Sequence, residues 1–373
     1  MNSTVNTEIT STQSDKMLFW SVLILMGFGV AAVYSASSAW AAQRGGSEFY
    51  LLRHLVKVLV GVGLIIGLSK VDYHLYAKYS KIGVMIAVAS LILLLITGGI
   101  GELKGANRWL GIGPFSFQPS ELAKWTLIVH IAFLMSKNSE KMYDLKEGLI
   151  PCLIWIGSVV LLIALQPNFS TAAVISTISI IMLFVGGANL KYLYTAAAVL
   201  IPLAVVYVAT SPYRLKRILS FIDGDSANYQ LSQSLVALGN GGLLGVGPGQ
   251  SKQRDFFLPE PFNDFILPII GEEYGYIGIL IIFALFIFIL VRGVSIVKRA
   301  PDLFGSYLAT GIVISIVFYA FTNAAVTCGL FPTTGLPMPF ISYGGTSILF
   351  TSASIGILLN ISKQSEQPNK ADE

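Results

Sequence analysis

The chain has 373 residues, of which 54% are hydrophobic and only 12% are charged, and its formal net charge is +4. This composition is typical of a polytopic membrane protein and excludes a soluble domain with a single membrane anchor. The small positive charge is spread over many loops, so no nucleic-acid-binding surface is predicted.

Ten apolar segments have about the length of a membrane-spanning helix, which is roughly 20 residues. They cover residues 17–36, 54–69, 79–98, 119–136, 149–165, 169–186, 191–210, 264–291, 304–328 and 343–361. Only Gln166, Pro167 and Asn168 separate the fifth segment from the sixth, which predicts a very tight turn. The first segment has no small-residue cleavage site behind a short apolar region, so we expect it to remain as a span. The predicted fold is an all-α polytopic membrane protein with ten transmembrane helices.

The distribution of Lys and Arg predicts that both termini lie in the cytoplasm. In this orientation 13 basic residues lie inside and nine outside, and seven of those nine belong to two long outer loops, which the positive-inside rule weights less. Three regions are predicted. A polar cytoplasmic tail covers residues 1–15, a ten-helix membrane domain covers residues 16–362, and a second cytoplasmic tail covers residues 363–373. A large outer loop, residues 211–263, joins helices 7 and 8.

The first polar segment in the membrane region reads GANRWLGIGPFSFQPSELAKW and ends at Trp125. Glu121 and Lys124 are three residues apart in an apolar helix, so they lie on one face. Two interpretations stay open: the ions neutralise each other and fix neighbouring helices, or they form the polar wall of a cavity for a charged head group. In the second case Arg108 or Lys104 would reach a phosphate.

The outer loop contains many glycines, in SLVALGNGGLLGVGPGQ, but their spacing matches neither GxGxxG nor GxxxxGK[ST]. Flexible or re-entrant packing is the better interpretation. Lys252 and Arg254 follow, and Asp264 closes the loop. Asp is a favoured helix N-cap, and a carboxylate at a membrane surface is also well placed to accept a proton from a sugar hydroxyl.

A second intramembrane acidic segment reads GEEYGYIG. Glu272 is expected to face the bundle interior or water, where a proton relay, a cation site and helix pairing are all open interpretations. The three histidines, His54, His74 and His130, have no metal-ligand spacing, so no protein metal site is predicted.

From Leu303 to Ser362 the chain has 60 residues without Asp, Glu, Lys or Arg. Two spans and the segment joining them, residues 329–345, account for this length. Its three prolines prevent a continuous helix, and nothing in it is charged. Irregular backbone at membrane depth must be buried in protein or line a cavity, so this segment is predicted to fold back into the bundle and to wall a substrate cavity.

Five segments together resemble the SEDS family (shape, elongation, division and sporulation). They are GANRWLGIGPFSFQPSELAKW, QPNFSTA, SLVALGNGGLLGVG, LPEPFNDFILPIIGEEYG and GLFPTTGLPMPFISYGGTS. The resemblance covers residues 15–362, and the SQSLVALGNGGLLGVGPGQSKQRDFFLPE stretch is more similar to the division member of the family than to the elongation member.

The resemblance implies a ten-helix peptidoglycan glycosyltransferase that polymerises lipid II at the outer face of the bacterial cytoplasmic membrane. It also implies a class B penicillin-binding protein as partner, other division proteins in the membrane, and a place at the division septum. Two other classes stay open: a lipid II flippase, which needs a polar path across the bundle, and a non-enzymatic scaffold of the division machinery.

The resemblance also assigns residues. The family's essential aspartate falls on Asp264, its PSE-x-x-K segment on Ser120, Glu121 and Lys124, and its NRW arginine on Arg108. The chain departs from the family at Asn263, where Thr is usual, and in QPNFS, where QPD followed two residues on by Gly is common; Asn168 therefore lacks the carboxylate.

The implied reaction joins a sugar hydroxyl to an anomeric carbon with inversion, and a lipid diphosphate leaves. One base is needed, and Asp264 is the candidate; a diphosphate needs charge neutralisation rather than a proton. Arg108, Lys104, Lys252, Arg254 or a divalent cation (Mg²⁺ or Mn²⁺) could supply it, and the sequence leaves the choice open. The predicted substrate-binding set is Arg108, Lys104, Glu121, Lys124, Lys252, Arg254, Glu272 and Ser342.

Overall fold

The computed structural model describes residues 14–43, 46, 48–98, 108–112, 115–222, 229–255 and 257–365. Its α-helices are α1 (Lys16–Ala42), α2 (Phe49–Leu68), α3 (His74–Thr97), α4 (Pro119–Lys137), α5 (Ile150–Leu165), α6 (Phe169–Val185), α7 (Leu190–Ala209), α8 (Pro212–Ile222), α9 (Tyr229–Gly241), α10 (Ile266–Arg299), α11 (Leu303–Thr327) and α12 (Gly345–Gln364). A 3₁₀ turn (Ser139–Lys141) and a π turn (Leu145–Leu149) lead from α4 into α5.

Every one of the ten predicted segments falls on a helix, and the outer loop holds two more, α8 and α9. Within the described residues, eight helical stretches are long and apolar enough to cross a membrane. Of the remaining two predicted spans, α4 carries ionic side chains and α6 has only 17 residues. The chain is thus a polytopic, essentially all-helical membrane protein, because a helix satisfies its own backbone hydrogen bonds in lipid.

Helices α11 and α12 lie inside the bundle, with buried side chains around most of their circumference. Helix α2 packs against α1 and α12, α4 packs against α3 and α11, and α10 packs against α1, α9 and α11. Helix α7 lies at the periphery and buries only Leu193 and Val208.

Ion pairs and caps fix the end of the bundle that was predicted to be cytoplasmic. Asp15 caps α1 by accepting a hydrogen bond from the Leu18 amide (3.0 Å) and pairs with Arg292 of α10 (2.7 Å). Asp302 caps α11 and accepts a hydrogen bond from the Tyr73 hydroxyl (2.7 Å). Asp15, the last residue of the predicted tail, thus contacts the helix bundle. Residues 1–13 of that tail lie outside the described residues.

Helix α10 is broken at Gly275, whose φ of 66° and ψ of −168° are not helical. The break removes hydrogen bonds from the helix, and residues 242–247 of the outer loop replace them. The amides of Val246 and Gly247 donate to the carbonyls of Glu272 (2.9 Å) and Glu273 (3.0 Å). On the other side of the break, the amides of residues 276 and 277 donate to the carbonyls of residues 242 and 243 (2.9 and 3.2 Å).

This contact between two backbones explains the glycine-rich sequence. A Cβ atom on Gly241 would lie 1.9 Å from the Gly271 carbonyl oxygen, and one on Gly245 would lie 2.2 Å from that of Glu273. Gly245 also has a φ of +83°, which favours glycine. The sequence left flexible and re-entrant packing open for this segment, and these contacts favour close packing against α10.

A short antiparallel hairpin precedes α4, which the sequence analysis did not predict. Strand β1 (Leu110–Ile112) pairs with β2 (Phe115–Phe117), so that residue 110 lies opposite residue 117. The ring of Phe117 contacts that of Phe350 on α12, which places the hairpin over the start of this central helix.

Candidate functional site

Asp264 lies directly before α10, with its side chain partly buried. The helix begins at Ile266, and Phe265 occupies the N-cap position, where its side chain offers no acceptor to the first amides. The predicted capping role of Asp264 remains a prediction, and so does its predicted role as base.

The structure brings the uncharged proline-containing segment, residues 329–345, to Asp264. A side-chain amide of α11, on Asn323, donates to the carbonyl of Asp264 (2.7 Å) and to the carbonyl of Leu336 (2.9 Å). A Cβ atom on Gly335 would lie 3.9 Å from Asp264 Oδ2. The carboxylate thus lies beside the backbone of this segment.

The second half of the segment is buried in the bundle. Leu336, Met338, Phe340 and Ile341 are at most 4% exposed, and the Phe340 carbonyl packs so closely on α1 that a Cβ on Gly29 would lie 2.6 Å from it. The predicted fold-back into the bundle is confirmed here. It is wrong for the first residues of the segment, since Leu330 and Phe331 are 70% and 52% exposed.

Ser342 is buried and closes a turn within this segment. Its hydroxyl accepts a hydrogen bond from the Met338 amide (2.8 Å), and its own amide donates to the Met338 carbonyl (3.1 Å). The side chain therefore shapes the segment from inside, and its predicted contact with substrate remains a prediction.

Glu121 and Lys124 form the ion pair that their spacing predicted. Lys124 Nζ donates to Glu121 Oε2 at 2.8 Å, and the two side chains are 3% and 5% exposed. Lys124 Nζ also lies 4.0 Å from the ring centroid of Tyr319 on α11. The pair therefore joins α4 to α11 in the interior of the bundle.

Beside Lys124 lies a narrow cleft between α4, α11, α12 and Pro339 of the proline-containing segment. Trp125 and Tyr319 line it, and Ser120 and Thr346 belong to two of the same helices. In the part of the chain that the structure describes, four of their buried polar atoms have no hydrogen-bond partner: Ser120 Oγ, Trp125 Nε1, Tyr319 Oη and Thr346 Oγ1. Buried polar atoms without a hydrogen-bond partner are costly and rare. These four atoms could therefore form hydrogen bonds with a molecule bound in this region. Both interpretations of the pair, helix linkage and cavity wall, are compatible with its position.

Glu272 is buried and holds the outer loop onto α10. It accepts hydrogen bonds from Asn240 Nδ2 (3.1 Å), from the Ser251 hydroxyl and from the Gln253 amide (3.2 Å). Among the three interpretations of this residue, the contacts favour a structural link, here between a helix and the loop that wraps it.

The next residue, Glu273, performs a similar role and was missed by the sequence analysis. It accepts a hydrogen bond from the Ser35 hydroxyl of α1 (2.5 Å) and lies 3.9 Å from Arg254 Nη1. Arg254 also donates to the Ser35 carbonyl and hydroxyl (3.3 and 3.1 Å). Its guanidinium is therefore engaged with α1 and α10, whereas the neighbouring Lys252 is exposed. The signal that could have found Glu273 is the GEE sequence, which has two acidic residues in an apolar helix, whereas only Glu272 was predicted as a site residue.

Arg108 stands at the start of the β-hairpin, and its Nη2 donates to the Pro167 carbonyl (2.6 Å) in the turn between α5 and α6. This contact joins two of the segments that carry the family resemblance. Lys104 lies outside the described residues.

Lys57 is a further intramembrane cation that the sequence analysis did not consider. It projects from α2, and its Nζ lies 4.0 Å from the ring centroid of Tyr343. No carboxylate lies within ion-pair distance of it in the part of the chain that the structure describes. A Lys inside an apolar span is the signal that could have found it.

A cavity of about 460 Å³ lies elsewhere, between α3, α4, α11 and α12 and near the turn from α2 to α3. Its lining is largely apolar and contains none of the predicted site residues. Over the described ranges, no group of three His, Cys, Asp or Glu side chains is placed to hold a metal ion.

Fold and site together define a multi-pass helical membrane protein with a partly buried aspartate at a helix start, a proline-containing segment folded against it, and a buried ion pair deeper in the bundle. The chain belongs to the SEDS family: the family model described as "Cell cycle protein" matches residues 16–367.

Named relatives agree with this assignment. The chain is 39% identical over 93% of its length to the probable peptidoglycan glycosyltransferase FtsW of Trichlorobacter lovleyi, covering 93% of that protein. It is 38% identical over 95% of its length to the stage V sporulation protein E of Bacillus subtilis, covering 98% of that protein.

Solved structures show the same fold. One chain of a peptidoglycan synthase complex that coordinates polymerization and crosslinking superposes with a TM-score of 0.78 at 25% identity, over 95% of this chain and 99% of that one. The rod shape determining protein RodA of Thermus thermophilus gives a TM-score of 0.70 at 23% identity, over 95% and 98%.

Proposed function

We propose that this chain is a peptidoglycan glycosyltransferase that polymerises lipid II into glycan strands at the outer face of the bacterial cytoplasmic membrane. Curated relatives that this chain matches over nearly their whole length are named probable peptidoglycan glycosyltransferases. The observation that supports the chemistry is the position of Asp264. Its carboxylate is partly buried, lies just before helix α10 and is next to Gly335 of the uncharged proline-containing segment.

In the proposed reaction, the 4-hydroxyl of one lipid II attacks the anomeric carbon of a lipid-linked glycan. Asp264 accepts the hydroxyl proton while the new C–O bond forms, and the bond from the anomeric carbon to undecaprenyl diphosphate breaks with inversion. A single base suffices, because the diphosphate leaves without protonation once its charge is stabilised.

Three cationic side chains are our candidates for the diphosphate, namely Arg108, Lys104 and Lys252. Arg108 belongs to the hairpin over the start of α12, and Lys252 is exposed at the end of the glycine-rich sequence. Arg254 is a weaker candidate than its sequence position suggested, because its guanidinium already contacts Glu273 and Ser35.

We also propose the membrane arrangement in which α1 to α7 and α10 to α12 form ten spans, with both termini in the cytoplasm and residues 211–263 outside. The buried ion pair explains why α4 is less apolar than the other spans, and the tight turn before α6 explains its shortness. The membrane domain then covers residues 16–362, between cytoplasmic tails at 1–15 and 363–373.

We further propose a class B penicillin-binding protein as partner, supported by the similarity to a chain of a peptidoglycan synthase complex, and a role in division at the septum.

A flippase would need a polar path across the bundle, and the side chains considered for it are engaged in other contacts. Glu121 and Lys124 neutralise each other, and Glu272 binds the outer loop. No observation on the chain favours a scaffold without activity, so the glycosyltransferase is the function we propose.

The test is Asp264→Asn in the purified protein with its penicillin-binding partner, assayed for glycan strands from lipid II. Amide and carboxylate have the same shape, so the fold should persist, while loss of general-base catalysis lowers the rate by roughly 10² to 10⁴. Asp255→Asn is the matched control, since Asp255 is an exposed carboxylate of the same loop, and it should polymerise normally. Wild-type polymerisation by Asp264→Asn would refute the assignment of the base.

A further inference from the structure

The backbone carbonyl of Asp264 lies just before the first hydrogen bond of α10, because Asp264 precedes the N-cap residue Phe265. Pro268, four residues later, has no N–H with which it could extend the helical hydrogen bonds back to this carbonyl. The carbonyl lies at the entrance of a buried helical turn, where an unpaired acceptor is costly. Asn323 supplies the donor from α11, at 2.7 Å.

The second N–H of the same amide donates to the Leu336 carbonyl at 2.9 Å. Leu336 follows Gly335, the residue whose backbone lies beside Asp264 Oδ2. The Asn323 side chain therefore links the backbone of Asp264 to the Gly335–Leu336 backbone beside the Asp264 carboxylate. Asn323 is 1% exposed, so water does not replace these bonds readily.

The two bonds also fix the orientation of the amide. Both are donated by Nδ2, and a flipped amide would set Oδ1 against two carbonyl oxygens. Oδ1 is buried and has no hydrogen-bond partner in the described structure. The side chain thus satisfies the two backbone carbonyls while its own acceptor stays unpaired, which favours a role toward those carbonyls over a general role in helix packing.

We propose that Asn323 is a positioning residue for Asp264, and this inference rests on the proposed glycosyltransferase function. By holding the start of α10 and the Gly335–Leu336 backbone in one fixed relation, it sets the place of the carboxylate against the sugar hydroxyl. It does not itself touch the reacting atoms.

The test variant is Asn323→Leu, which keeps the branched shape and removes both donors. The matched control is Asn360→Leu on α12. Asn360 is a buried amide of the same type that also joins two segments, by donating to the Ser69 carbonyl (3.0 Å) and accepting from the Tyr73 amide (3.0 Å), at the opposite end of the bundle. Glycan synthesis from lipid II is measured with amounts normalised to folded protein.

For Asn323→Leu we expect kcat to fall about 10²-fold, the size of effect that a misplacement of about 1 Å produces, while KM for lipid II stays within about twofold. The acid limb of its pH–rate profile should also move. A merely structural loss would scale the whole profile down without changing its shape, and that is the result expected for Asn360→Leu. An Asn323→Leu profile that keeps the wild-type shape would overturn the inference.

A second measurement is independent of activity. In a background without Cys152 and Cys328, a cysteine at position 336 should react with a thiol reagent at least about tenfold faster in Asn323→Leu than in the parent, and at an unchanged rate in Asn360→Leu. Unchanged labelling would overturn the inference even if activity fell. If the parent protein makes no glycan, the proposed function is refuted and the role toward catalysis with it; if the parent is active and Asn323→Leu equals it, only the inference is refuted.

Discussion

The buried ion pair of α4 gives a quantitative prediction about stability. At the observed 2.8 Å between Lys124 Nζ and Glu121 Oε2, Coulomb attraction is about 6 kcal/mol for an effective dielectric constant near 20. Desolvation of the two ions costs several kcal/mol each, so the pair contributes little net stability as a unit. Removal of one partner is different, because it leaves the other ion buried and uncompensated, at a cost of about 3–5 kcal/mol.

The two single substitutions should differ. In Glu121→Gln, Lys124 keeps the face of the Tyr319 ring at 4.0 Å, a contact that can return about 1–2 kcal/mol in a desolvated site. Lys124→Met leaves a buried carboxylate without such a contact. We therefore expect a loss of about 2–3 kcal/mol for Glu121→Gln, of about 3–5 kcal/mol for Lys124→Met, and of no more than about 2 kcal/mol for the double variant.

The assay is unfolding of the purified protein in mixed micelles with a rising fraction of a denaturing detergent, for all four members of the cycle. The coupling free energy should be at least about 3 kcal/mol in favour of the double variant. Tyr319→Phe serves as a control that keeps the ring and removes an unpaired hydroxyl, and its effect should be small. Losses that add within about 0.5 kcal/mol would refute the reasoning and would indicate that each ion acts alone, for example on substrate.

Two further predictions concern the segments that surround the site. Gly245→Ala should destabilise the protein by about 2–4 kcal/mol in the same unfolding assay, because its Cβ would overlap the Glu273 carbonyl and its φ is positive. The control is Gly239→Ala in helix α9, where a Cβ meets no described atom within 4 Å; it should be neutral or stabilising by about 0.5–1 kcal/mol. Equal effects of the two substitutions would contradict the close backbone contact between the glycine-rich sequence and α10. In a background without Cys152 and Cys328, a cysteine at Leu330 (70% exposed) should react rapidly with a thiol reagent, and one at Met338 (1% exposed) should react slowly. Bound lipid II should slow the reaction at Met338 further. Rapid labelling at Met338 at a rate that lipid II does not change would exclude this segment from the substrate site.

The positions of the helices could be predicted from the sequence because lipid imposes one requirement on every span. An apolar run of about 20 residues has to be a helix to satisfy its backbone, and all ten runs are helices. The Glu121–Lys124 contact could also be predicted, since a spacing of three residues within one helix determines it. Fold-back of the proline-containing segment followed from the same requirement, and its exposed first residues follow from their place at the end of α11.

Contacts between distant parts of the chain could not be predicted in this way. The pairing of Arg254 with Glu273 and Ser35 depends on how the outer loop crosses α1, and no local pattern encodes that. Asn323 is a single amide in an apolar helix, and its two acceptors are 59 and 13 residues away. The helix break at Gly275 appears as one glycine among several, and its hydrogen-bond partners lie about 30 residues earlier.

The interlock between the glycine-rich sequence and the broken α10 makes the outer loop part of the membrane domain. Four backbone hydrogen bonds join residues 242–247 to the helix around Gly275, two donated by each side. Each backbone group left without a partner at membrane depth would cost several kcal/mol. The loop therefore cannot be exchanged as a separate module. A chimera between two family members should fold only when residues 229–263 are transferred together with the outer part of α10, through Ile277, so that donors and acceptors from the same parent meet.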